Sequence, residues 1–348
     1  MFILGIETSC DETAVGIVDH NGRQIANIVA SQIGIHSSHG GIVPEIASRQ
    51  HILDIREVTL SALKFGNIKL RDLSHIAVTY GPGLAGSLIV GLNFAKGLAC
   101  SLGIPLIGVN HLEGHIYAAW INNDYFSPMP FQQIVDEQNK IMCLIVSGGH
   151  TEMVIMKGYG QFQIIGETRD DAVGEAFDKV ARVLGLKYPG GPEIQKASNF
   201  SSKEIEPFPR SWINGTHDFS FSGIKTSVIN RSKIFGFYPP NNRVLPDKDI
   251  QANFSKAFQD SVVDVLVKKT VNAAISYECK GIILVGGVAA NTALRENLIA
   301  LSPIPVSIPP IDLCTDNGAM IAMAGLYNLQ LKKFSEMSLD VIPNLRIS

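Results

Sequence analysis

FILGIETSCDETAVGIV (residues 2–18) overlays KIMCLIVSGGHTEMVIM (140–156) when the chain is shifted by 138 residues, and this match decides the fold. Ser9 falls on Ser147, Thr13 on Thr151 and, further on, Gly22 on Gly160. In both copies an apolar run ends in a short polar turn, resumes, and meets a Gly-containing turn before a third run. The third runs are QIANIVAS (24–31) and FQIIGET (162–168). Apolar runs of this length, bounded by turn residues, read as strands, so each copy is expected to be a meander of three strands. Two unrelated hairpins are the alternative, but a register kept through two turns favours duplication.

A second pair of segments extends the match. HIAVTYGPGLAGSLIVGL (75–92) and KGIILVGGVAANTALREN (280–297) both run from a strand through a glycine turn into a helix. Each returns to an apolar strand after a proline, Pro105 in GIPLIGV and Pro305 in PIPVSI. Strand–helix–strand units belong to parallel or mixed sheets with helices on their faces. The expected fold is therefore α/β, with two similar, duplicated domains facing a central cleft. The boundaries expected are 1–120 plus 312–348 for one domain and 121–311 for the other. Residues 122–140 and 236–249 are polar and rich in Pro and Asn, and read as surface loops.

Composition narrows the class. A chain of 348 residues, 46% hydrophobic and 18% charged, is long enough for two cores and too apolar for broad disorder. Five scattered cysteines without a CxxC spacing read as reduced thiols of a cytoplasmic protein. MFILGIETSC lacks the basic start of a signal peptide, and the longest fully apolar run is far shorter than a membrane span. A net charge of −3 means that any nucleic-acid contact rests on a local basic patch.

Several motifs compete for the chemistry. GPGLAG (81–86) spells G-x-G-x-x-G, but the next strand ends in Asn110 where a dinucleotide site needs an acid for the ribose. HLEGH (111–115) places His111 and His115 on one helix face. It is not the zincin H-E-x-x-H, because Leu112 stands where the general base belongs. A metal needs a third ligand, and Asp316, at the start of the last helix, is the best candidate in the chain. HSSHGG (36–41) is a rival histidine pair that reads more plainly as a loop. The matched turns SCDET (9–13) and SGGHT (147–151) offer backbone N–H groups to phosphate oxygens. GGVAAN (286–291) admits a flat base or ribose. By themselves, Asp178 reads as a solvated acid on a helix and YPGGP (188–192) as a turn.

The blocks IETSCDETAVGIV, HSSHGGIVPEIASRQH, YGPGLAGSLIVG, VNHLEGHIYA, IVSGGHTE, GEAFDKVARVLGLKYPGGP, DFSFSGIKT, GGVAANTALRE and CTDNGAMIA, taken together, resemble the TsaD family. These are the bacterial-type tRNA N6-adenosine threonylcarbamoyltransferases, formerly described as glycoproteases. The resemblance covers nearly the whole chain in order, and IETSCDET points to the bacterial or organellar branch. Extra lengths around 126–140 and 233–247 depart from the family pattern.

The resemblance implies the actin-like ATPase fold shared with sugar kinases and heat-shock chaperones. It implies one divalent metal ion, iron or zinc, held by His111, His115 and Asp316. By family position, Ile145, Val146, Ser147, Gly148 and Gly149, with Asp178, Gly191 and Asn291, would bind the substrate nucleotide, threonylcarbamoyl-AMP. The acceptor would be the N6 amine of the adenosine beside the anticodon in tRNAs reading codons that begin with A. That amine must lose a proton, and Asp11 and Glu12 are the candidate bases. Arg49, Arg56, Lys225, Arg231 and Lys233 are candidate phosphate contacts. Implied partners are a shorter paralogue of the same fold (TsaB-like) and a small P-loop ATPase (TsaE-like), with no membrane. Two rivals stand beside this reading: a kinase or chaperone-like ATPase of the same fold, and a metallopeptidase.

Overall fold

The computed structural model describes residues 1–121, 138–238 and 246–348; the remainder of the two expected loop stretches lies outside the described residues. Two compact units emerge. The first comprises Met1–Glu137, Lys157–Phe162 and Pro309–Ser348, and the second Gln138–Met156 and Gln163–Ile308.

The first unit is built on a five-stranded sheet of β1 (Phe2–Glu7), β2 (Glu12–Asp19), β3 (Gln24–Ser31), β4 (Leu73–Gly81) and β5 (Leu106–Asn110). Their order is β3-β2-β1-β4-β5, with β1 antiparallel to β2 and parallel to β4. The second sheet, in the second unit except for the β7–β8 turn at Lys157–Phe162, contains β6 (Ile141–Val146), β7 (Thr151–Gly158), β8 (Gln161–Glu167), β9 (Gly281–Val285) and β10 (Val306–Ser307), in the order β10-β9-β6-β7-β8. Read from the other edge, that is the order of the first sheet.

Register carries the duplication further. Gly5 pairs with Gly16, and 138 residues on, Cys143 pairs with Val154; Glu7 pairs with Ala14, and Ile145 with Glu152. The later pieces match with a slip. Gly5 lies opposite Ala77 and Cys143 opposite Ile283, an offset of 206 (283 less 77). The overlay of 75–92 on 280–297 uses 205, so the ladders move it by one residue. Apolar runs without marked alternation give no purchase on a single-residue slip.

Central strand β1 is apolar on both faces because both are covered. Leu4 and Ile6 join Val15, Ile76 and Val78 in a core closed by α2 (Pro44–Phe65), through Ile55, Val58 and Ala62, and by α3 (Ala85–Leu102), through Leu92, Ala95 and Ala99. Helix α3 is long and apolar enough to cross a membrane, but this row of its residues is packed in the core. The other face of the sheet receives α10 (Gly318–Gln330), nearly backbone to backbone. A Cβ on Gly5 would stand 2.2 Å from Ala322 N, and one on Gly318 would stand 2.0 Å from Gly16 N. Only glycine permits that approach, which fixes where the residues just before α10 lie.

Sequence reading missed two short elements. HSSHGG begins inside helix α1 (Ile33–Ser37), not in a loop, and YPGGP leads directly into α6 (Gly190–Ser198). Between these come α4 (His111–Ala118) and α5 (Val173–Val183); α7 (Ser222–Ile234), α8 (Lys248–Ser276) and α9 (Thr292–Leu301) follow.

Candidate active site

The first unit gathers HLEGH and Asp316. Strand β5 ends at Asn110, whose side chain accepts from Leu112 N and so caps α4 at its first turn. His111 and His115 then project from the same helix face, with ring centroids 4.7 Å apart at 80°. Gly114 lets α4 meet α10, since a Cβ there would lie 2.7 Å from Ile321 Cδ1. Asp316 directly precedes Asn317, whose side chain accepts from Met320 N to cap α10. The result brings Asp316 Oδ1 within 3.2 Å of His115 Nε2 and 3.6 Å of His111 Nε2.

This cluster fits a metal ion. Its three donor atoms lie within 4.8 Å of one another. His115 is fully buried, yet among the described residues neither of its ring nitrogens forms a hydrogen bond. Its 3.2 Å approach to Asp316 is an ion-pair distance without hydrogen-bond alignment. A buried imidazole left in this way is strongly disfavoured unless something else takes its lone pair. Two imidazoles and a carboxylate suit iron or zinc.

Behind the cluster stands a residue that sequence reading passed over. Glu7, the buried end of β1, lies 3.1 Å through Oε2 from His111 Nδ1, and Ser9 Oγ lies 3.1 Å from the same nitrogen. The carboxylate also accepts from Ser9 N and from the Thr79 hydroxyl. A proton on Nδ1 then leaves His111 Nε2 free toward Asp316. Burial opposes the Glu7 carboxylate, but the facing His111 outweighs it and holds the group below its ordinary value. Burial likewise opposes a charge on His111. The carboxylates of Asp316 and Glu7 prevail and push the ion-free imidazole up to about 9. A buried acid ending an otherwise apolar strand was the available signal.

The turn from Ser9 to Glu12 adjoins the cluster, since the Asp316 charge reaches both Cys10 and Glu12. Asp11 is buried and Glu12 half-buried. Burial, and then the neighbouring Asp11 charge, push the Glu12 carboxyl up to about 10. In the ion-free cluster Glu12 therefore holds its proton more readily than a free carboxyl.

In the second unit, Ile145 and Val146 end β6 and Ser147–Gly149 form the turn into β7. Ser147 N donates to His150 O, and Gly174 N donates to Ser147 O. Side chains added at Gly148, Gly149 or Gly191 would meet nothing within 4 Å, so the chain is open to a ligand at all three. Asp178 is half-buried rather than solvated, and its Oδ1 accepts from Gly190 N at the start of α6. Asn291 caps α9 by accepting from Leu294 N, and it donates through Nδ2 to Gln259 Oε1.

Four of the five candidate phosphate contacts are already engaged. Arg49 pairs with Glu45, Arg56 with Glu57 and Lys225 with Asp171. Arg231 lies over the Phe208 ring beside Glu206. Lys233 Nζ sits 5.7 Å from the Tyr238 ring centroid.

Two duplicated units of meander and strand–helix–strand define a protein of the actin-like ATPase fold, here with a His–His–carboxylate cluster in one unit. Solved structures of that fold agree. T. kodakarensis HypF superposes with a TM-score of 0.60 at 13% identity, over 94% of this chain and 48% of that one. Component A of the Acidaminococcus fermentans (R)-2-hydroxyglutaryl-CoA dehydratase gives 0.53 at 15%, over 94% and 97%. These likenesses speak for the fold alone. The chain belongs to the TsaD family, tRNA N6-adenosine threonylcarbamoyltransferase, whose family model matches residues 23–323. The tRNA N6-adenosine threonylcarbamoyltransferase of Dehalococcoides mccartyi is 50% identical over the full length of both chains. The activity is transfer of a threonylcarbamoyl group to adenosine N6 of tRNA, and neither the kinase nor the metallopeptidase reading is favoured.

Proposed function

We propose that the donor is threonylcarbamoyl-AMP and that the acceptor is the adenosine beside the anticodon in tRNAs reading codons that begin with A. The convergence of His111, His115 and Asp316, with a buried His115 whose ring nitrogens make no hydrogen bond among the described residues, carries this reading. Those three residues would hold one iron or zinc ion, which supplies Lewis-acid stabilisation of charge developing on the carbamoyl group. Glu7 and Ser9 orient His111 through Nδ1. In the second unit, the Ile145–Gly149 turn with Asp178, Gly191 and Asn291 is assigned the nucleotide.

The acceptor amine forms the new N–C bond to the carbamoyl carbon as the C–O bond to AMP breaks. Its proton goes to Asp11, one of the two candidate bases of the adjoining turn. A TsaB-like paralogue and a TsaE-like ATPase are the proposed partners, and the proposed compartment is the cytoplasm.

The test is to incubate the protein with tRNA and threonylcarbamoyl-adenylate, digest the RNA and look for the modified nucleoside. Its absence with the partners present would refute the donor. His111→Ala or His115→Ala should release the metal with the fold retained; full metal content in both would refute the ligand set.

A further inference from the structure

Two motifs remain unused by this chemistry, HSSHGG and the histidine of SRQH, and the structure joins them. His36, Gln32, Thr13 and His51 are all buried in the first unit. His51 Nε2 lies 3.0 Å from Cys10 O, a group that only accepts, so Nε2 carries the proton. Nδ1 is then the acceptor. It takes the Thr13 hydroxyl at 2.7 Å and Gln32 Nε2 at 3.3 Å. With its amide nitrogen so committed, Gln32 presents Oε1 to His36 Nε2 at 3.2 Å, which must donate. His36 Nδ1 in turn accepts from Val43 N at 3.3 Å.

Every hydrogen bond of this chain has one permitted direction. It runs from Val43 N through His36, Gln32 and His51 to Cys10 O. Gln32 also grips the same turn from its other side, since its backbone N donates to Asp11 O at 3.0 Å. Burial holds His51 below its ordinary value, in keeping with an Nδ1 that accepts. The carbonyl and hydroxyl that His51 holds, on Cys10 and Thr13, bracket Asp11 and Glu12.

We infer that His36, Gln32 and His51 form a positioning relay, and that His51 is the positioning residue that sets the Asp11–Glu12 turn for transfer. The inference rests on the assignment of the proton-accepting role to that turn. His51 touches neither the proposed metal ligands nor the second unit's donor-binding residues among the contacts described, so its effect should fall on the rate.

Single-turnover transfer to tRNA, metal content, donor affinity and amide exchange of residues 9–13 together test it. His51→Asn keeps an acceptor near the Nδ1 position but loses the donor to Cys10 O. His51→Gln places an amide N–H near the Nε2 position. The expected result is transfer slowed by about 100-fold in His51→Asn, the scale of loss that misplacement by an ångström brings. Metal content and donor affinity should stay unchanged, with faster exchange at 9–13 and most of the rate recovered in His51→Gln. Wild-type rate and exchange in His51→Asn would overturn the relay, as would a His51→Gln as slow as His51→Asn. Should the His51 variants not fold, Thr13→Val, equal in volume, removes only the hydroxyl. Slower transfer with faster exchange is expected there, and wild-type values in both would overturn the relay. Asp11→Asn at full rate would instead remove the base assigned to the turn, leaving exchange and the Gln rescue to decide the relay.

Discussion

Glu7 and His111, 104 residues apart in the chain, meet through Oε2 and Nδ1 at 3.1 Å in the interior of the first unit. The contact sets which nitrogen of His111 faces Asp316, and it is itself held by Ser9 N and the Thr79 hydroxyl. Glu7→Gln keeps the size of the side chain and removes its charge. Loss of such an outer partner weakens metal binding about 10- to 100-fold with all three ligands still present. Competition against a chelator of known affinity measures it, and unchanged affinity would show that Glu7 does not tune the site.

The metal and a proton compete for His111. Its ion-free imidazole is raised to about 9, so at neutral pH the empty cluster holds a proton that a bound ion must displace. Because the value is raised, the proton is fully bound well below 9 and lost as pH climbs through it. Apparent metal affinity should therefore rise with pH, by about tenfold per pH unit, and level off near 9. Proton release on metal addition, read in two buffers of different ionisation enthalpy, checks the sign. A flat pH profile would refute the competition.

Much of this was legible because duplication imposes a strong pattern. A shift of 138 aligned β1 with β6 and β2 with β7, and the observed pairs keep that shift residue for residue. The one-residue slip at β4 and β9 was not legible, since their apolar runs offer no alternation to fix register. His111 and His115 announced themselves by spacing, but Asp316 lies 201 residues beyond His115 (316 less 115), and the sequence offered it only as the best third ligand until the resemblance implied the set. Glu7 was hidden because its role depends on β1 lying beside β4 and on β5 delivering α4, a tertiary fact. His51 was hidden in the same way, inside a long helix where most positions face either core or water.

Gly318 should prove as necessary to the cluster as a ligand. Its missing Cβ would stand 2.0 Å from Gly16 N and 2.3 Å from the carbonyl carbon of Val15, both backbone atoms of β2. Gly318→Ala must push α10 off the sheet and carry Asp316 with it. Overpacking of this kind costs about 1–3 kcal/mol. A lowered Tm together with weaker metal binding is expected, and a variant with wild-type values for both would show that the helix adjusts freely.

Asn291 serves α9 and, as proposed, the nucleotide, and a single variant separates the roles. Asn291→Ala removes the cap to Leu294 N and should lose about 1 kcal/mol of stability along with nucleotide affinity. Asn291→Ser keeps a capping oxygen, so stability should return while nucleotide affinity does not. Calorimetry with a non-hydrolysable adenylate analogue reads the affinity, and metal content should be unchanged in both. Full affinity in Asn291→Ser would remove the residue from the nucleotide site.

The isolated chain should hold tRNA weakly. Net charge is −3, and Arg49, Arg56, Lys225 and Arg231 each sit against an acidic side chain of their own. A cation already paired must give up that partner to gain a phosphate, and phosphate affinity scales with the number of cations that engage. The expected result is a shallow dependence of tRNA binding on salt, and little or no multiple turnover by the chain alone. Adding the TsaB-like paralogue and the TsaE-like ATPase should bring sustained turnover. Modified adenosine formed per enzyme over time, at fixed salt, is the measurement. Sustained turnover by the purified chain alone would refute the dependence, and a steep salt slope without partners would show that its own cations suffice for tRNA.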